Sequence, residues 1–250
     1  LNKPLPQQYI SYVTGLVKGD LGTSLRTKRP VLTEVQGRYM NTVQLTLLSL
    51  TWSVIAGVLI GVWSGRNRSK WQDYTGMTVA VSGISMPSFW IGFMLIMVFA
   101  VKYRLLPTTG AGSFKNLILP SITLGVSIAA IIARFTRSSV IEVLKEDYVR
   151  TARAKGLREK TVIWKHVFRN CMISVVTVVG LQFGFLLGGS VVTETVFAFP
   201  GLGSLLIESV NYRDYPAIQS LILIFSLHFV LINLVVDVLY AVLNPEIQLS

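Results

Sequence analysis

The sequence is short of both cysteine and charge. Its 250 residues include a single cysteine, Cys171, which excludes a disulfide-stapled scaffold and a zinc site built from several cysteines. Charged residues make up 14% of the chain, against about 25% in soluble domains. The phosphate-binding loops G-x4-G-K-S/T and G-x-G-x-x-G are missing, so the chain is not predicted to bind ATP itself. Hydrophobic residues make up 52% of the chain, which excludes intrinsic disorder.

The remaining charges leave long uncharged runs between them. These runs are 18 to 28 residues long and cover Tyr39–Gly65, Tyr74–Val101, Asn116–Ala133, Asn170–Thr193 and Tyr215–Val236. About 20 apolar residues in a helix cross the hydrocarbon layer, and the continuous apolar pattern is not that of a β-barrel strand. The sequence therefore predicts an all-α integral membrane protein with five spans, at about 39–65, 74–101, 116–137, 170–193 and 216–243.

Prolines are expected to shape three of these spans. Pro87 should kink the second span, and the third helix is expected to begin near Pro120. Asn244 and Pro245 should end the fifth span, which passes Asp237. That carboxylate is expected to lie at the interface with no catalytic role.

Basic residues indicate the orientation of the chain. Ten of the 23 Lys and Arg residues lie within Arg134–Arg169, which favours a cytoplasmic position for loop 138–169. Segment 1–38 and loop 194–215 are then extracytoplasmic, and the basic patch Arg26–Pro30 is expected to rest on headgroups or a partner. Because five spans place the termini on opposite sides and the numbering begins with Leu1, we expect a further helix before it.

The basic loop contains the pattern of a short docking helix. Asp147 is a plausible N-cap, and Gly156 suits the left-handed position that ends a helix. Ala152 and Ala154 would let a partner's groove approach closely, while Arg150, Arg153 and Lys155 offer charge to its rim. The pattern predicts a knob that contacts another protein.

At this point the residues resemble a known family. The segment Tyr148–Gly156, YVRTARAKG, is similar to the coupling loop of ABC-importer permeases of the dipeptide, oligopeptide, glutathione and nickel group. Three further segments, Gly180–Gly189, Glu194–Pro216 and Asn233–Tyr240, resemble the same group. The resemblance implies a type I-like permease fold of six helices, in which the helix before Leu1 is the first.

The resemblance also implies a mechanism and its partners. Permeases of this group import short peptides or glutathione by alternating access, taking substrate from an extracytoplasmic binding protein in the bacterial inner membrane. Two separate ATPase subunits, which carry the ATP and magnesium, and a second homologous permease would complete the complex. Nucleic acid is not an expected partner. A nickel or nickel-chelate importer is the alternative within the group.

The implied site residues fall into three sets. Residues expected to contact an ATPase are Asp147, Arg150, Thr151, Ala152, Arg153, Ala154, Lys155, Gly156 and Leu157. Residues expected at an outer gate or binding-protein contact are Glu194, Phe197, Pro200, Gly201, Gly203, Glu208, Arg213 and Asp214. Polar residues that could line a path are Gln44, Ser85, Ser88, Gln182, Ser190 and Asn233. For any one of them a hydrogen bond to a neighbouring helix or to its own backbone is the favoured explanation, and Gln182, on a glycine-rich helix, is the preferred path residue.

Other features have simpler structural explanations. Glycines at four-residue spacing, Gly57–Gly65 and Gly180–Gly188, predict close helix packing. His228 without a second ligand nearby predicts an interhelical hydrogen bond rather than a nickel site, and no metal site is predicted. Two rival classes remain, an intramembrane hydrolase that would use Ser190 and His228, and a secondary transporter, which should carry intramembrane ionisable residues.

Overall fold

The computed structural model describes residues 4–243. It leaves undescribed the side chains of Leu5, Gln8, Ile173, Ser174, Leu187, Asp237 and residues 239–243. The proposed Asn244–Pro245 stop and the Asp237 carboxylate therefore lie outside what is described. Within the described residues the chain is helical, with no strand and one isolated bridge between Thr23 and Pro30. The predicted all-α class is confirmed.

The helices follow one another with short connections. Their bounds are α1 Leu5–Val17, α2 Val31–Arg66, α3 Trp71–Ser85, α4 Ser88–Leu95, α5 Phe114–Val143, α6 Asp147–Ala154, α7 Glu159–Thr161, α8 Phe168–Val196, α9 Leu202–Asn211 and α10 Tyr215–Leu243. Helix α4 continues as a π-helical segment, Ile96–Lys102, and a second one, Val162–Val167, joins α7 to α8.

Long apolar helices lie in all five predicted regions. Val31–Arg66, Phe114–Val143 and Tyr215–Val236 are each long and apolar enough to cross a membrane. The other two regions are bent pairs, Trp71–Ser85 with Ser88–Lys102 at 102° and Glu159–Met172 with Val175–Leu186 at 48°. The described residues therefore contain three to five candidate spans.

The break at Pro87 is much sharper than the kink predicted from sequence. Met86 and Pro87 both adopt extended backbone angles, with ψ of 130° and 135°, so α3 ends and a new helix begins at Ser88. Proline has no N–H to continue the helix, and its ring disfavours helical geometry at the residue before it. The second predicted region is therefore two helices.

Helix α5 differs from prediction at both ends. It begins at Phe114, where the Ser113 hydroxyl accepts a hydrogen bond from the Lys115 N–H at 3.4 Å, and Pro120 lies inside the helix rather than at its start. It continues to Val143, past the expected limit of 137. Ser139 and Val140 in this last part of the helix are buried against the rest of the bundle.

The glycines of α2 bring it against α5. A Cβ on Gly57 would lie 2.7 Å from the Ala129 carbonyl oxygen, and one on Gly61 would lie 2.6 Å from the Ala133 carbonyl oxygen. Such contacts are too short for any side chain, so the backbones meet only because these positions are glycine. Gly180 and Gly184 similarly face α10, whereas nothing lies within 4 Å of a Cβ on Gly188. A Cβ on Gly65 would lie 2.8 Å from Val140, so the predicted packing role is confirmed for every glycine of the two rows except Gly188.

An ion pair fixes α3 to α5 at the α6 end of the bundle. The Arg137 guanidinium donates to both carboxylate oxygens of Asp73, at 2.5 and 2.7 Å. Asp73 is buried and also accepts a hydrogen bond from the Ser69 N–H at 3.0 Å. Removing the Arg137 charge would leave the buried Asp73 carboxylate uncompensated, which is costly in proteins. This pair therefore holds the two helices in register.

Candidate functional site

Helix α6 projects from one end of the bundle and presents a polar face. Val149 and Ala152 are buried against the chain, so the opposite side of the helix is exposed. Positions 147, 150, 151 and 154 share that exposed side, because residues three and four apart lie on one face of a helix. Lys155, Gly156 and Leu157 follow it and are also exposed.

Two details of the predicted knob need correction and one is confirmed. Glu146, in extended conformation, occupies the cap position, so Asp147 is the first helical residue and not the N-cap. Ala152 faces the main hydrophobic core and offers no surface to a partner in this conformation. Gly156 has a φ of +77°, the left-handed conformation predicted for it.

Side-chain contacts fix α6 to the helices that follow it. Arg153 donates to the Glu159 carboxylate at 2.8 and 3.2 Å, across the turn at Gly156. The Asn170 side chain donates to the Tyr148 hydroxyl at 2.8 Å. Val149 and Ala152 share the core with Val162, Ile163 and Val167. A displacement of α6 would therefore be passed to the start of α8.

The opposite end of the bundle carries a second structured unit, here named the cap, formed by residues 21–42 and 194–217. Its small core contains Val31, Val35, Leu202, Leu205, Ala217 and Leu221, the last of these from the following turn of α10. The stretch before α2 forms a tight hairpin in which the Ser24 N–H donates to the Arg29 carbonyl at 2.9 Å. The predicted N-terminal segment and gate loop are therefore parts of one unit.

A buried carboxylate joins the two halves of the cap. Glu194 is 0% exposed and accepts hydrogen bonds from the Thr42 hydroxyl at 2.8 Å and the Ser204 N–H at 3.0 Å. Ser190 also hydrogen-bonds this carboxylate. Because Ser204 lies in the first turn of α9, Glu194 satisfies N–H groups that a helix N-terminus leaves free, where negative charge is favoured.

A second carboxylate, Glu208, fixes α9 to α2. The Arg38 guanidinium donates to both Glu208 oxygens at 3.0 and 3.1 Å, and Arg26 donates to one of them at 3.1 Å. Partial burial alone would raise the pKa of Glu208, but the hydrogen bond and charge of Arg38, with those of Arg26, hold the pKa below its ordinary value. Glu208 is therefore ionised at neutral pH.

A third carboxylate, Asp214, holds the hairpin. It is 2% exposed and accepts hydrogen bonds from the Ser24 hydroxyl, the Leu25 N–H at 3.0 Å and the Arg26 N–H at 3.4 Å. Burial would raise the pKa of Asp214, but these hydrogen bonds outweigh that effect and hold the pKa below its ordinary value. Arg26 therefore contacts α9 and the turn that follows it. The expectation that Arg26 rests on lipid headgroups does not agree with these contacts.

The eight predicted gate residues lie together in the cap, but most of them face inward. Glu194, Phe197, Gly201, Gly203 and Asp214 are buried, and the Pro200 carbonyl accepts a hydrogen bond from Asn41 at 2.7 Å. Glu208 is engaged by two arginines. Arg213 alone of the predicted contact residues in this set is fully exposed. The prediction that Glu194 and Asp214 contact a binding protein is inconsistent with this burial.

One predicted path residue lines a large groove below the cap. The groove has a volume of about 760 Å³ and contains Gln44 together with the other side chains Asn41, Leu47, Leu48, Thr51, Ser113, Phe114, Leu117 and Phe199. Ser85 and Ser88 lie at the break between α3 and α4, and Gln182 and Asn233 are half-buried on α8 and α10. Ser190 is fully buried beside Glu194 and has no surface on any path in this conformation.

His228 forms the interhelical hydrogen bond predicted for it. Its Nε2 lies 2.5 Å from the Tyr39 hydroxyl, and its Nδ1 lies 2.7 Å from the Ile224 carbonyl oxygen. Since a carbonyl only accepts, Nδ1 donates and Nε2 accepts from the tyrosine. Among the described residues there is no group of three His, Cys, Asp or Glu side chains able to hold a metal ion.

Sequence reasoning missed the contribution of residues 21–42 to the gate region and the Asp73–Arg137 pair. No local signal pairs Arg38 with Glu208 or Ser24 with Asp214, because these residues are 170 and 190 positions apart. A weak signal did exist for Asp73: it is the only carboxylate in a short basic connection.

Comparison with known proteins identifies the family to which the chain is similar. A family model described as "Binding-protein-dependent transport system inner membrane component" matches residues 57–249. The glutathione transport system permease protein GsiC of Pectobacterium atrosepticum is 55% identical over 248 residues, covering 99% of this chain and 81% of that protein. GsiC of Escherichia coli strain K12 gives the same identity and coverage.

Solved structures share the fold at low sequence identity. The MetNI methionine ABC transporter in an inward-facing form matches with a TM-score of 0.72 at 17% identity, over 84% of this chain and 96% of that one. An amino acid ABC transporter matches with a TM-score of 0.66 at 15% identity, over 92% and 97%. The expected membrane permease fold and inner-membrane location are confirmed. The chain belongs to the family of binding-protein-dependent transport system inner membrane components, the permease subunits of ABC importers.

Proposed function

We propose that this chain moves glutathione or short peptides inward, as one of two homologous permeases driven by two ATPase subunits. The observation that carries the proposal is the 55% identity to glutathione permeases, which extends over 99% of the chain. That match includes both α6 and the cap, so it spans the two ends at which such a subunit must meet its partners.

The exposed side of α6 is the proposed ATPase contact. It combines the charges of Asp147 and Arg150 with two small side chains, Thr151 and Ala154, all on one helix face. Small residues allow close approach of a partner, and charges at the rim of an interface set its orientation. The density of basic residues around α6 supports a cytoplasmic position for this end.

Motion of α6 reaches the spans through packed contacts. Tyr148 and Arg153 bind residues of the following helices, and Val149 is buried in the core shared with Val162. A packed core is not continuously deformable, so ATP-driven movement of α6 would rotate α8 as a rigid body. Alternating access then follows from two such subunits moving against each other.

The groove beneath the cap is the proposed part of the substrate path. Asn41, Gln44, Leu48 and Thr51 lie along one side of α2, and the groove contains no ionisable side chain among its described residues. An exposed amide such as Gln44 is costly against lipid, so this side is expected to face water or a second subunit. Amide and hydroxyl groups suit the uncharged hydrogen-bonding groups of a peptide backbone.

Reconstitution tests the substrate assignment. The complete transporter, with its binding protein and ATPases in vesicles, is expected to accumulate labelled glutathione or a dipeptide only when ATP is present on the ATPase side. Excess unlabelled glutathione should compete with the labelled compound if it is the substrate. ATP-independent uptake, or no uptake of either compound by a fully assembled complex, would overturn the proposal.

Thiol labelling tests the orientation. The native Cys171 is 0% exposed, so an introduced cysteine should dominate labelling by a membrane-impermeant reagent. Ala154→Cys is expected to react only from the cytoplasmic side. Lys115→Cys, exposed at the other end of the bundle, should react only from outside. The reverse pattern would contradict the proposed topology.

A further inference from the structure

Helix α1 has an apolar side and a polar side along its whole length. At about 100° per residue, its apolar residues fall within one arc of about 160°, and its polar residues lie in the opposite arc. The apolar arc contains Tyr9, Ile10, Tyr12, Val13, Leu16 and Val17. The polar arc contains Gln7, Ser11 and Thr14, and the helix sequence carries no charged residue. The helix is therefore amphipathic without being ionic.

The rest of the chain leaves the apolar arc of α1 uncovered. Tyr9, Ile10, Val13 and Val17 are 69%, 62%, 37% and 84% exposed, and no described residue of α1 is buried. Contact of such a stripe with water is unfavourable, and a contiguous apolar surface of this kind marks a site of protein or membrane contact. What covers the stripe depends on where α1 lies relative to the bilayer.

Helix α1 ends beside the cap end of a membrane span. The apolar part of α10, Tyr215–Val236, is about 33 Å long and so matches the hydrocarbon layer of about 30 Å, with its first residues at the boundary of that layer. The Ser220 hydroxyl donates to the Leu21 carbonyl at 2.9 Å, which holds Leu21 level with the first turns of α10. The four residues from Val17 to Leu21 reach at most about 14 Å. The end of α1 therefore lies close to the membrane surface.

The bilayer reaches the side of α10 that meets Leu21. Leu223 and Leu227 follow Ser220 by three and seven residues and so lie on the same side of the helix. They are 41% and 56% exposed, so this side of the span is open to lipid below the contact with Leu21. The surface next to the end of α1 is therefore continuous with the lipid-facing surface of a span.

A hydrogen-bonded turn joins α1 to the cap. The Gly19 N–H donates to the Leu16 carbonyl and the Asp20 N–H to the Gly15 carbonyl, both at 2.9 Å. Gly19 has a φ of +78°, the left-handed conformation that commonly ends a helix. The Asp20 carboxylate then accepts a hydrogen bond from the Gly22 N–H at 2.8 Å. The direction of α1 relative to the cap is thus set by hydrogen bonds rather than by a free linker.

The side chains of α1 suit the boundary between headgroups and acyl chains. Tyr9 and Tyr12 combine an apolar ring with a hydroxyl that remains hydrated, and tyrosine is enriched at membrane surfaces for this reason. The amide and hydroxyl groups of the polar arc can hydrogen-bond water and headgroups. The first charge after the helix begins is Lys18, just past its last residue. No charged group therefore has to enter the apolar layer.

We propose that α1 lies in the interfacial layer of the membrane at the cap end, with its axis along the surface and its apolar arc toward the acyl chains. The helix is about 20 Å long, and a stripe along its whole length can meet lipid only in this orientation. Helices of this kind bury their apolar face about 5–10 Å into the boundary. Since Asp20 and Leu21 join α1 to the cap, the helix would hold that side of the cap at the membrane surface. The inference requires the membrane location but not the proposed substrate.

Spin labels on the two arcs test this placement in the assembled transporter, in nanodiscs of phosphatidylethanolamine and phosphatidylglycerol. Val13→Cys and Ser11→Cys form a matched pair because both positions are exposed and two residues apart, and the native Cys171 is 0% exposed. Collision with oxygen, which concentrates in lipid, is compared with collision with a nickel chelate, which stays in water. The ratio of the two is expected to be several-fold higher at position 13 than at position 11. Val17→Cys and Thr14→Cys should repeat the contrast.

A carboxylate placed on the apolar arc tests whether lipid holds the helix. Ile10→Asp is expected to abolish the contrast between labels at positions 17 and 14, because an ionised group is costly to bury in the apolar layer. Gln7→Asp, on the polar arc of the same turn, is the control and should leave the contrast unchanged.

Two results would overturn the inference. Equal access of the nickel chelate to both arcs would show that α1 stands in water. Protection of position 13 from both probes would show that a protein segment, such as a second copy of the chain, covers the stripe. Failure of the permease to assemble with any ATPase would instead refute the proposed function, and the contrast between the arcs would still be measured on the permease in the same nanodiscs.

Discussion

Ala152 and Ala154 lie two residues apart on α6 and point in opposite directions, which separates packing from partner contact. Ala152 is 6% exposed and belongs to the main core, whereas Ala154 is exposed beside Arg150 and Thr151. The same substitution, alanine to leucine, therefore has different physical consequences at the two positions.

The expected magnitudes follow from burial. At Ala152 the three added carbons have no space, and overpacking a core of this kind costs about 1–3 kcal/mol. At Ala154 the leucine enters solvent, and surface changes usually alter the free energy of unfolding by less than about 0.5 kcal/mol. Leucine is a good helix former, so neither change should disrupt α6 through propensity.

The functional effects are expected in the reverse order of the stability effects. Ala154→Leu should leave the thermal unfolding of the permease unchanged but keep an ATPase from seating against α6, lowering the ratio of substrate imported to ATP hydrolysed. Ala152→Leu should lower the unfolding temperature. The assay is ATPase activity and uptake measured in the same vesicles, with unfolding followed in detergent.

Normal coupling in an Ala154→Leu transporter that retains its ATPases would refute the assignment of the exposed α6 side as the contact. Loss of coupling with Ala152→Leu at unchanged stability would show that the helix presents its other side when the complex assembles. The second result would require α6 to rotate relative to the core described above.

Three further predictions use other parts of the chain. Gly61→Ala should destabilise the α2–α5 contact by about 1–3 kcal/mol in thermal unfolding, because its Cβ would lie 2.6 Å from a backbone carbonyl oxygen. The control Gly37→Ala in the same helix meets nothing within 4 Å and should leave the unfolding temperature unchanged or raise it. Equal effects of the two substitutions would contradict the packing role of Gly61. The folded-state pKa of Asp214 is lowered from its ordinary value of 3.8, so its contribution to cap stability is complete above that pH and lost as pH falls through the lower folded value. Hydrogen exchange of residues 22–30 should therefore be slow at neutral pH and accelerate only in strong acid, and Asp214→Asn should accelerate it at neutral pH; a neutral-pH pattern unchanged by the substitution would refute this anchor. Gln44→Leu should reduce uptake while basal ATPase activity stays constant, and unaltered uptake would remove Gln44 from the path.

Much of the architecture was accessible from sequence because lipid imposes a simple rule. Every span must satisfy its backbone internally, so uncharged runs mark helices without knowledge of their neighbours. The glycine rows of α2 and α8 predicted close helix packing from periodicity alone, since a spacing of four places the glycines on one helix face. The YVRTARAKG segment predicted a short helix ended by a left-handed glycine, and the structure has α6 followed by Gly156 in that conformation.

Local patterns failed wherever a distant residue determined the outcome. Ala152 resembled a contact residue until the core covered it. The cap of α6 was displaced by one position only, from Asp147 to its neighbour Glu146. The burial of Glu194 and Asp214 depends on Thr42 and Ser24, which no spacing rule connects to them.

The sequence by itself determined that this chain is helical and that it lies in a membrane, because hydropathy and helix periodicity are local properties. Only the tertiary structure decided which charged side chains form ion pairs within the protein and which stay exposed and unpaired. That distinction depends on pairs such as Arg38–Glu208 and Arg137–Asp73, whose members meet only after the helices have packed. A charge is available for recognition only if folding has left it unpaired and exposed.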